Sequence, residues 1–171
     1  MKIYKNIDDL IFELNDINKK IVFTNGCFDI LHLGHLKLLR DASELGDILV
    51  VGLNSDKSVK INKGDSRPIN NQNYRASMLE FFDFIDYIVL FNEKDPMGII
   101  KKIRPDVLVK GGDYKKNQII GAEFVEKSGG TVKIFKFVKN FILITLFALQ
   151  MYSEPSVSTS CISILCFFLG G

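Results

Sequence analysis

The chain has 171 residues, 47% hydrophobic and 25% charged, enough for one domain with a sizeable buried core and too few for two ordinary ones. Its 22 basic and 20 acidic side chains leave a formal charge of +2, which gives no basis for nucleic acid as the main partner and suits a small anionic metabolite. Three cysteines, Cys27, Cys161 and Cys166, are too few for a disulfide framework. The N-terminus reaches Asp8 and Asp9 without the continuous apolar core of a secretory signal, so a reducing, cytoplasmic setting is expected.

In chain order, Ile7, Leu10, Ile11, Leu14 and Ile17 fall at helical spacing and predict an N-terminal amphipathic helix. Ile21-Val22-Phe23-Thr24 is a short β-favouring run ending at Asn25-Gly26, of the kind that suits a strand buried on both faces. From Gly34 to Leu45 the apolar residues Leu38, Leu39, Ala42 and Leu45 return at helical spacing, with Gly46 as the stop. Ile48 to Leu53 reads as the second strand. Strand, glycine-bearing turn, helix and strand make a βαβ unit, which is right-handed and parallel in nearly all proteins.

The alternation continues with a helix from Arg75 to Phe82, a strand from Tyr87 to Leu90, and a helix opened by Asp95 as N-cap and Pro96 as first residue, running through Ile103. Val107-Leu108-Val109 is a strand, Gln118 to Lys127 a helix closed by Gly129-Gly130, and Val132 to Phe137 a last strand. These elements predict an α/β fold, an open doubly wound parallel sheet of five strands flanked by helices. Ligands in such sheets bind beyond the carboxyl ends of the strands, which places chemistry near residues 25–35, 54–75 and 110–114.

The densest cluster is Asn25-Gly26-Cys27-Phe28-Asp29-Ile30-Leu31-His32-Leu33-Gly34-His35. It sets the only two histidines of the chain three residues apart where the first strand gives way to a helix. A helix start offers unpaired N–H groups and the positive end of the backbone dipole to a phosphate, and imidazoles there can donate to the same oxygens. Gly26 and Gly34 let the backbone approach a ligand without a Cβ in the way. An isolated histidine is most often a plain surface or core side chain, and zinc would need ligands beyond the nearby Cys27 and Asp29.

The cluster resembles the cytidylyltransferase-like nucleotidyltransferases, whose signature G-x-F-D-x-x-H-x-G-H is matched by Gly26, Phe28, Asp29, His32, Gly34 and His35. Within that family the chain most resembles the adenylyltransferases that activate D-glycero-β-D-manno-heptose 1-phosphate. The match extends over Asn54-Ser55-Asp56, Lys63-Gly64-Asp65-Ser66-Arg67-Pro68-Ile69-Asn70, Arg75, and Pro105 through Lys110-Gly111-Gly112-Asp113-Tyr114, so it covers roughly residues 19–140.

The resemblance implies attack by an oxygen of the sugar 1-phosphate on the α-phosphorus of ATP, with pyrophosphate expelled and no covalent enzyme intermediate. His32 and His35 would meet the reacting phosphate, joined by Lys63 and Arg75, and Mg²⁺ would shield the triphosphate. Asn25, Gly26, Cys27, Phe28, Asp29, Gly34, Lys37, Asn54, Asp56, Arg67, Lys110, Gly111, Gly112 and Asp113 would line the nucleotide site, Asp113 as a ribose or metal-associated carboxylate. Two of these carry a competing reading: Asp29 as a brace for the histidine-bearing turn, and Cys27 as a packed small residue. No kinase segment precedes the domain, so the chain reads as a stand-alone form; relatives often pair, which implies a homodimer, and no membrane partner is expected. A glycerol 3-phosphate cytidylyltransferase using CTP, and a nucleotide-binding protein without catalysis, are the alternatives.

The pattern breaks at the end. Relatives continue into a Ser-Thr-Thr segment that binds triphosphate, whereas here Ile142-Leu143-Ile144-Thr145 follows, and from Phe141 to Gly171 the only charged side chain is Glu154. The domain is therefore expected over residues 1–140, with 141–171 an atypical apolar tail left by a reading-frame change. Its longest apolar stretch, Phe141 to Tyr152, is interrupted by Thr145 and Gln150 and falls short of the ~20 residues a spanning helix needs.

Overall fold

The computed structural model describes residues 2–15 and 18–136, so the tail read from Phe141 onward, with Cys161 and Cys166, lies outside the described residues. Six strands form one parallel sheet: β1 Lys2–Tyr4, β2 Ile21–Gly26, β3 Ile48–Asn54, β4 Tyr87–Phe91, β5 Val107–Gly111 and β6 Thr131–Phe135. Their spatial order is β1-β4-β3-β2-β5-β6, with every neighbouring pair parallel. The helices are α1 Ile7–Leu14, α2 Leu33–Ser43, α3 Asp56–Lys63, α4 Gln72–Glu80, α5 Met97–Ile103 and α6 Ala122–Lys127. Among the described residues no helix is long and apolar enough to cross a membrane.

Alternation along the central strands splits the core between the two sheet faces. Phe23, Val50 and Leu108 point with Leu10 of α1, Ile100 of α5 and Val125 of α6 into one cluster. Val22, Leu49, Val51, Val107 and Val109 point with Leu38 and Leu39 of α2 and Leu79 of α4 into the other. Both faces being covered, the strands can be apolar at successive positions, which is why β2, β3 and β5 stand out in the sequence. The amino ends of the strands are closed by carboxylates: Asp47 accepts from Lys20 N–H at 2.8 Å, Asp86 from Leu49 N–H at 2.8 Å and Asp106 from Ile21 N–H at 2.7 Å.

The doubly wound parallel sheet agrees with the sequence reading, but among the described residues it has six strands, not five. The extra one is β1, which pairs Ile3 with Ile88 at the edge beyond β4. Glu13 of α1 anchors it, holding Lys2 at 2.6 Å and the Tyr4 hydroxyl on one side and the Tyr87 hydroxyl at 3.2 Å on the other. A three-residue edge strand has no periodicity to read.

Several helices also differ from expectation, among them α4, which starts at Gln72 and ends at Glu80 where Arg75 to Phe82 was expected. Helix α3 forms between the second strand and Arg75, a span for which no element was expected, and is capped by Ser55, whose hydroxyl accepts from Ser58 N–H at 3.2 Å. The helix expected over Gln118–Lys127 is divided, because Gly121 takes the left-handed conformation (φ 87°) between a 3₁₀ turn at Lys116–Gln118 and α6. At α5 the N-cap is Pro96 and the helix begins at Met97, whose N–H is still taken by Asp95 at 2.9 Å.

From β2 the chain winds outward through β3 to β4, then crosses back to place β5 on the other side of β2. The strand order therefore reverses between β2 and β5, and the crevice at their carboxyl ends is where such sheets take ligands.

Candidate active site

Four segments meet at that edge. The turn after β2 carries the histidines, β3 runs into α3, a loop from Gly64 to Asn71 leads into α4, and β5 ends at Lys110-Gly111. The first segment turns sharply because Phe28 is left-handed, with φ 46°, a conformation that costs energy for a residue with a Cβ and persists only when its surroundings hold it. The surroundings here are specific. The Phe28 ring is buried and meets the His35 ring edge-on, centroids 5.2 Å apart. A Cβ added at Gly26 would come within 3.0 Å of that same ring, so the preceding glycine makes room for it.

His32 is the N-cap of α2, extended at φ −140°, and its Nδ1 accepts from His35 N–H at 3.3 Å. An accepting Nδ1 puts the proton of the neutral ring on Nε2. The two imidazoles are stacked, with centroids 3.8 Å apart and planes 23° from parallel. Burial lowers the pKa of His32. His35 is pushed down to about 4, by burial first and then by the charges of His32 and Lys63, against a small opposing effect from the Ile30 backbone. Both rings are therefore neutral at pH 7. The influence of Lys63 also locates it: the last residue of α3, exposed at the site's rim, close enough for its charge to be felt at His35.

The acidic and basic residues of the neighbouring segments are mostly spent on one another. Asp29, 5% exposed, accepts from Ile69 N–H at 2.8 Å and Asn70 N–H at 2.9 Å through Oδ1, and from Arg67 at 2.5 Å through Oδ2. Arg75, 1% exposed, reaches Cys27 O at 2.5 Å, Asn54 O at 2.8 Å, Asn70 O at 2.9 Å and the Asp56 carboxylate at 2.8 Å. Asn54 also donates to Ser58 Oγ at 2.9 Å. Of the two readings open for Asp29, this geometry favours the brace.

On the other side, Lys110 donates to Asn25 Oδ1 at 2.6 Å and bridges the ends of β5 and β2. Burial draws its pKa down to about 8, opposed in part by Cys27, which also places that free thiol nearby. Gly111 closes β5, Gly112 donates its N–H to Phe135 O at 2.9 Å, and Asp113 is exposed beyond them. Lys37 is exposed on α2 and pairs with Asp41 at 3.2 Å, while Gly34 lies in the first turn of that helix.

The structure thus links His32, His35, Phe28, Gly26 and Lys63 in one set of contacts and Asn25, Cys27 and Lys110, at the end of β5, in another. Lys37 stands outside both. Sequence reasoning overlooked Asn70, whose amide donates to Asp29 O at 2.6 Å, and Gln72, whose Oε1 takes Asp56 N–H at 3.0 Å. Asn70 stands at the end of a matched block, which was its signal, and Gln72 had only its place just after that block.

A helix N-terminus, two imidazoles and nearby lysines at the carboxyl edge of a parallel sheet are groups that can bind a phosphate. The cytidylyltransferase-like family model matches residues 23–163. The chain belongs to the cytidylyltransferase-like family. The bifunctional protein HldE of Aliarcobacter butzleri is 49% identical over 138 residues, 81% of this chain and 28% of that protein. The HldE of Campylobacter jejuni serotype O:2 is 50% identical over 137 residues, 80% of this chain and 29% of its own length. The cytidylyltransferase-like chain therefore spans little more than a quarter of these curated relatives. A crystal structure of the lipopolysaccharide core biosynthesis protein from Thermoplasma volcanium superposes with a TM-score of 0.56 at 32% identity, covering 71% of this chain and 98% of the other. A pantoate-beta-alanine ligase from Francisella tularensis shares the fold at 17% identity, with a TM-score of 0.57 over 80% of this chain and 67% of its own.

Proposed function

We propose that this chain transfers AMP from ATP to D-glycero-β-D-manno-heptose 1-phosphate, releasing pyrophosphate and forming ADP-heptose for lipopolysaccharide core synthesis. The observation that carries the reading is the stacked His32–His35 pair at the start of α2. Its support for the acceptor is the match of the Lys63–Asn70 and Pro105–Tyr114 blocks to heptose-specific adenylyltransferases, together with the lipopolysaccharide relative.

In this reading an oxygen of the sugar phosphate displaces pyrophosphate in line at the α-phosphorus. The protein's task is to align two anions and to compensate charge growing on the α-phosphate and the leaving group. Neutral imidazoles at His32 and His35 donate to the α-phosphate oxygens beside the free N–H groups of α2. Lys63, on a side chain long enough to swing from the rim, supplies a full positive charge. Asn25, Lys110, Gly111 and Gly112 line the nucleoside side of the crevice, with Asp113 at its mouth. Mg²⁺ enters as part of the ATP substrate. In this reading the reaction takes place in the cytoplasm.

A turnover assay crossing ATP or CTP with heptose 1-phosphate or glycerol 3-phosphate, scored by pyrophosphate, tests the proposal. Release only with ATP and the heptose phosphate is expected. Release only with CTP and glycerol 3-phosphate would select the cytidylyltransferase alternative. Saturable ATP binding with no pyrophosphate under any pairing would mark a nucleotide-binding protein without catalysis.

A further inference from the structure

Arg75 has the largest fully buried side chain among the described residues, and a guanidinium so placed must be paired and hydrogen-bonded to be tolerated. Its partners come from three separate segments. Cys27 O belongs to the histidine-bearing turn, one residue before the left-handed Phe28. Asn54 O is the last carbonyl of β3, and Asn70 O lies in the loop before α4. The Asp56 carboxylate opens α3, the helix that ends at Lys63. A lysine could not replace it, since a single ammonium has three donors at one point, whereas the planar guanidinium carries five spread along a fork.

Each bond restrains something on the catalytic side. Fixing Cys27 O holds the strained Phe28 backbone, and the Phe28 ring lies edge-on to His35. Fixing Asn54 O and Asp56 sets where α3 starts and therefore where Lys63 ends. We infer that Arg75, paired with Asp56, is a positioning residue that ties the histidine-bearing turn to α3 and holds the His32–His35 stack and Lys63 at a fixed spacing. This departs from the sequence reading, in which Arg75 was expected to reach the phosphates itself. Its catalytic consequence rests on the proposed nucleotidyl transfer; its effect on the histidines does not.

The test uses the full chain with Arg75→Lys, Asp56→Asn and, as a control, Val59→Ala, a buried residue of α3 outside the clamp. With two histidines in the chain, proton NMR of the imidazoles gives two ring signals to follow in the ligand-free protein. Arg75→Lys is expected to move both signals, to raise the titration midpoint of His35, and to lower kcat by about 10- to 100-fold with less than about a threefold change in KM for ATP. Asp56→Asn is expected to do the same more weakly, and Val59→Ala to lower thermal stability with both signals in place. Unmoved histidine signals in Arg75→Lys, or a raised KM for ATP at unchanged kcat, would overturn the inference in favour of direct phosphate contact. If Arg75→Lys does not fold, Asp56→Asn decides by the same criteria. A wild-type chain that turns over no acceptor would refute the proposed function and leave the NMR result to judge the clamp alone.

Discussion

The imidazoles of His32 and His35 lie face to face at 3.8 Å, with Nδ1 of the first taking the backbone N–H of the second. His32 therefore does two jobs, capping α2 and presenting a ring to the crevice, and these can be separated. Asn is a good N-cap and cannot stack as an imidazole does. His32→Asn should keep thermal stability within about 0.5 kcal/mol of wild type while lowering kcat/KM on the order of 100- to 1,000-fold, as loss of a donor to a developing oxyanion does. Parallel thermal melts and kinetics check it, and equal activity in the two proteins would contradict it.

The buried position of His35 ties stability to pH. Its folded pKa of about 4 lies below the ordinary 6.5, so the unfolded chain takes up the proton first as pH falls. Stability from this group is complete above pH 6.5 and drains away towards pH 4, a loss on the order of 2–3 kcal/mol. Urea unfolding followed across that window should show the decline in wild type and a flatter profile in His35→Gln. Identical slopes in the two would refute the assignment.

Asp29 holds two backbone N–H groups and Arg67 from a nearly closed position. Removing its carboxylate leaves buried donors unsatisfied and a half-buried guanidinium without its partner. Asp29→Ala should cost about 2–4 kcal/mol of stability, measured by chemical denaturation, and Arg67→Ala should cost less because the two N–H bonds to Asp29 survive. A mild Asp29→Ala with a severe Arg67→Ala would reverse this account.

Much of this site could be read from the chain because its signals are local. The apolar runs of β2, β3 and β5 are contiguous, and the Gly26 to His35 turn is one short motif at a strand end. The misses share a different property, namely that their information lies elsewhere. Strand β1 exists through partners on β4 and Glu13, none of them adjacent in sequence. Helix α3 has Val59 as its one buried apolar side chain, too little for a periodic pattern. Arg75 looks like any surface arginine, and three of its four partners are backbone carbonyls, atoms that carry no residue identity. The brace formed by Asp29 was foreseeable as a possibility, but its partners Ile69 and Asn70 were not.

Lys110 gives up stability for its place in the crevice. Burial lowers its pKa from 10.5 to about 8, so the folded state binds the proton less tightly than the unfolded one. Stability from this group is missing at neutral pH and grows between pH 8 and 10.5. Lys110→Met should accordingly raise the unfolding free energy at neutral pH by about 1–3 kcal/mol while impairing nucleotide turnover. A variant that is both less stable and fully active would be incompatible with this.

The central claim is that the paired imidazoles act on the reacting phosphorus, and phosphorus NMR of a reaction mixture tests it most directly. With ATP, Mg²⁺ and heptose 1-phosphate, the wild-type chain should convert the α-phosphate signal into the diphosphate of a nucleotide sugar, one pyrophosphate appearing per product, and a His32→Ala, His35→Ala double variant that still binds ATP should leave the spectrum unchanged. Product formation by the double variant at the wild-type rate would contradict the account.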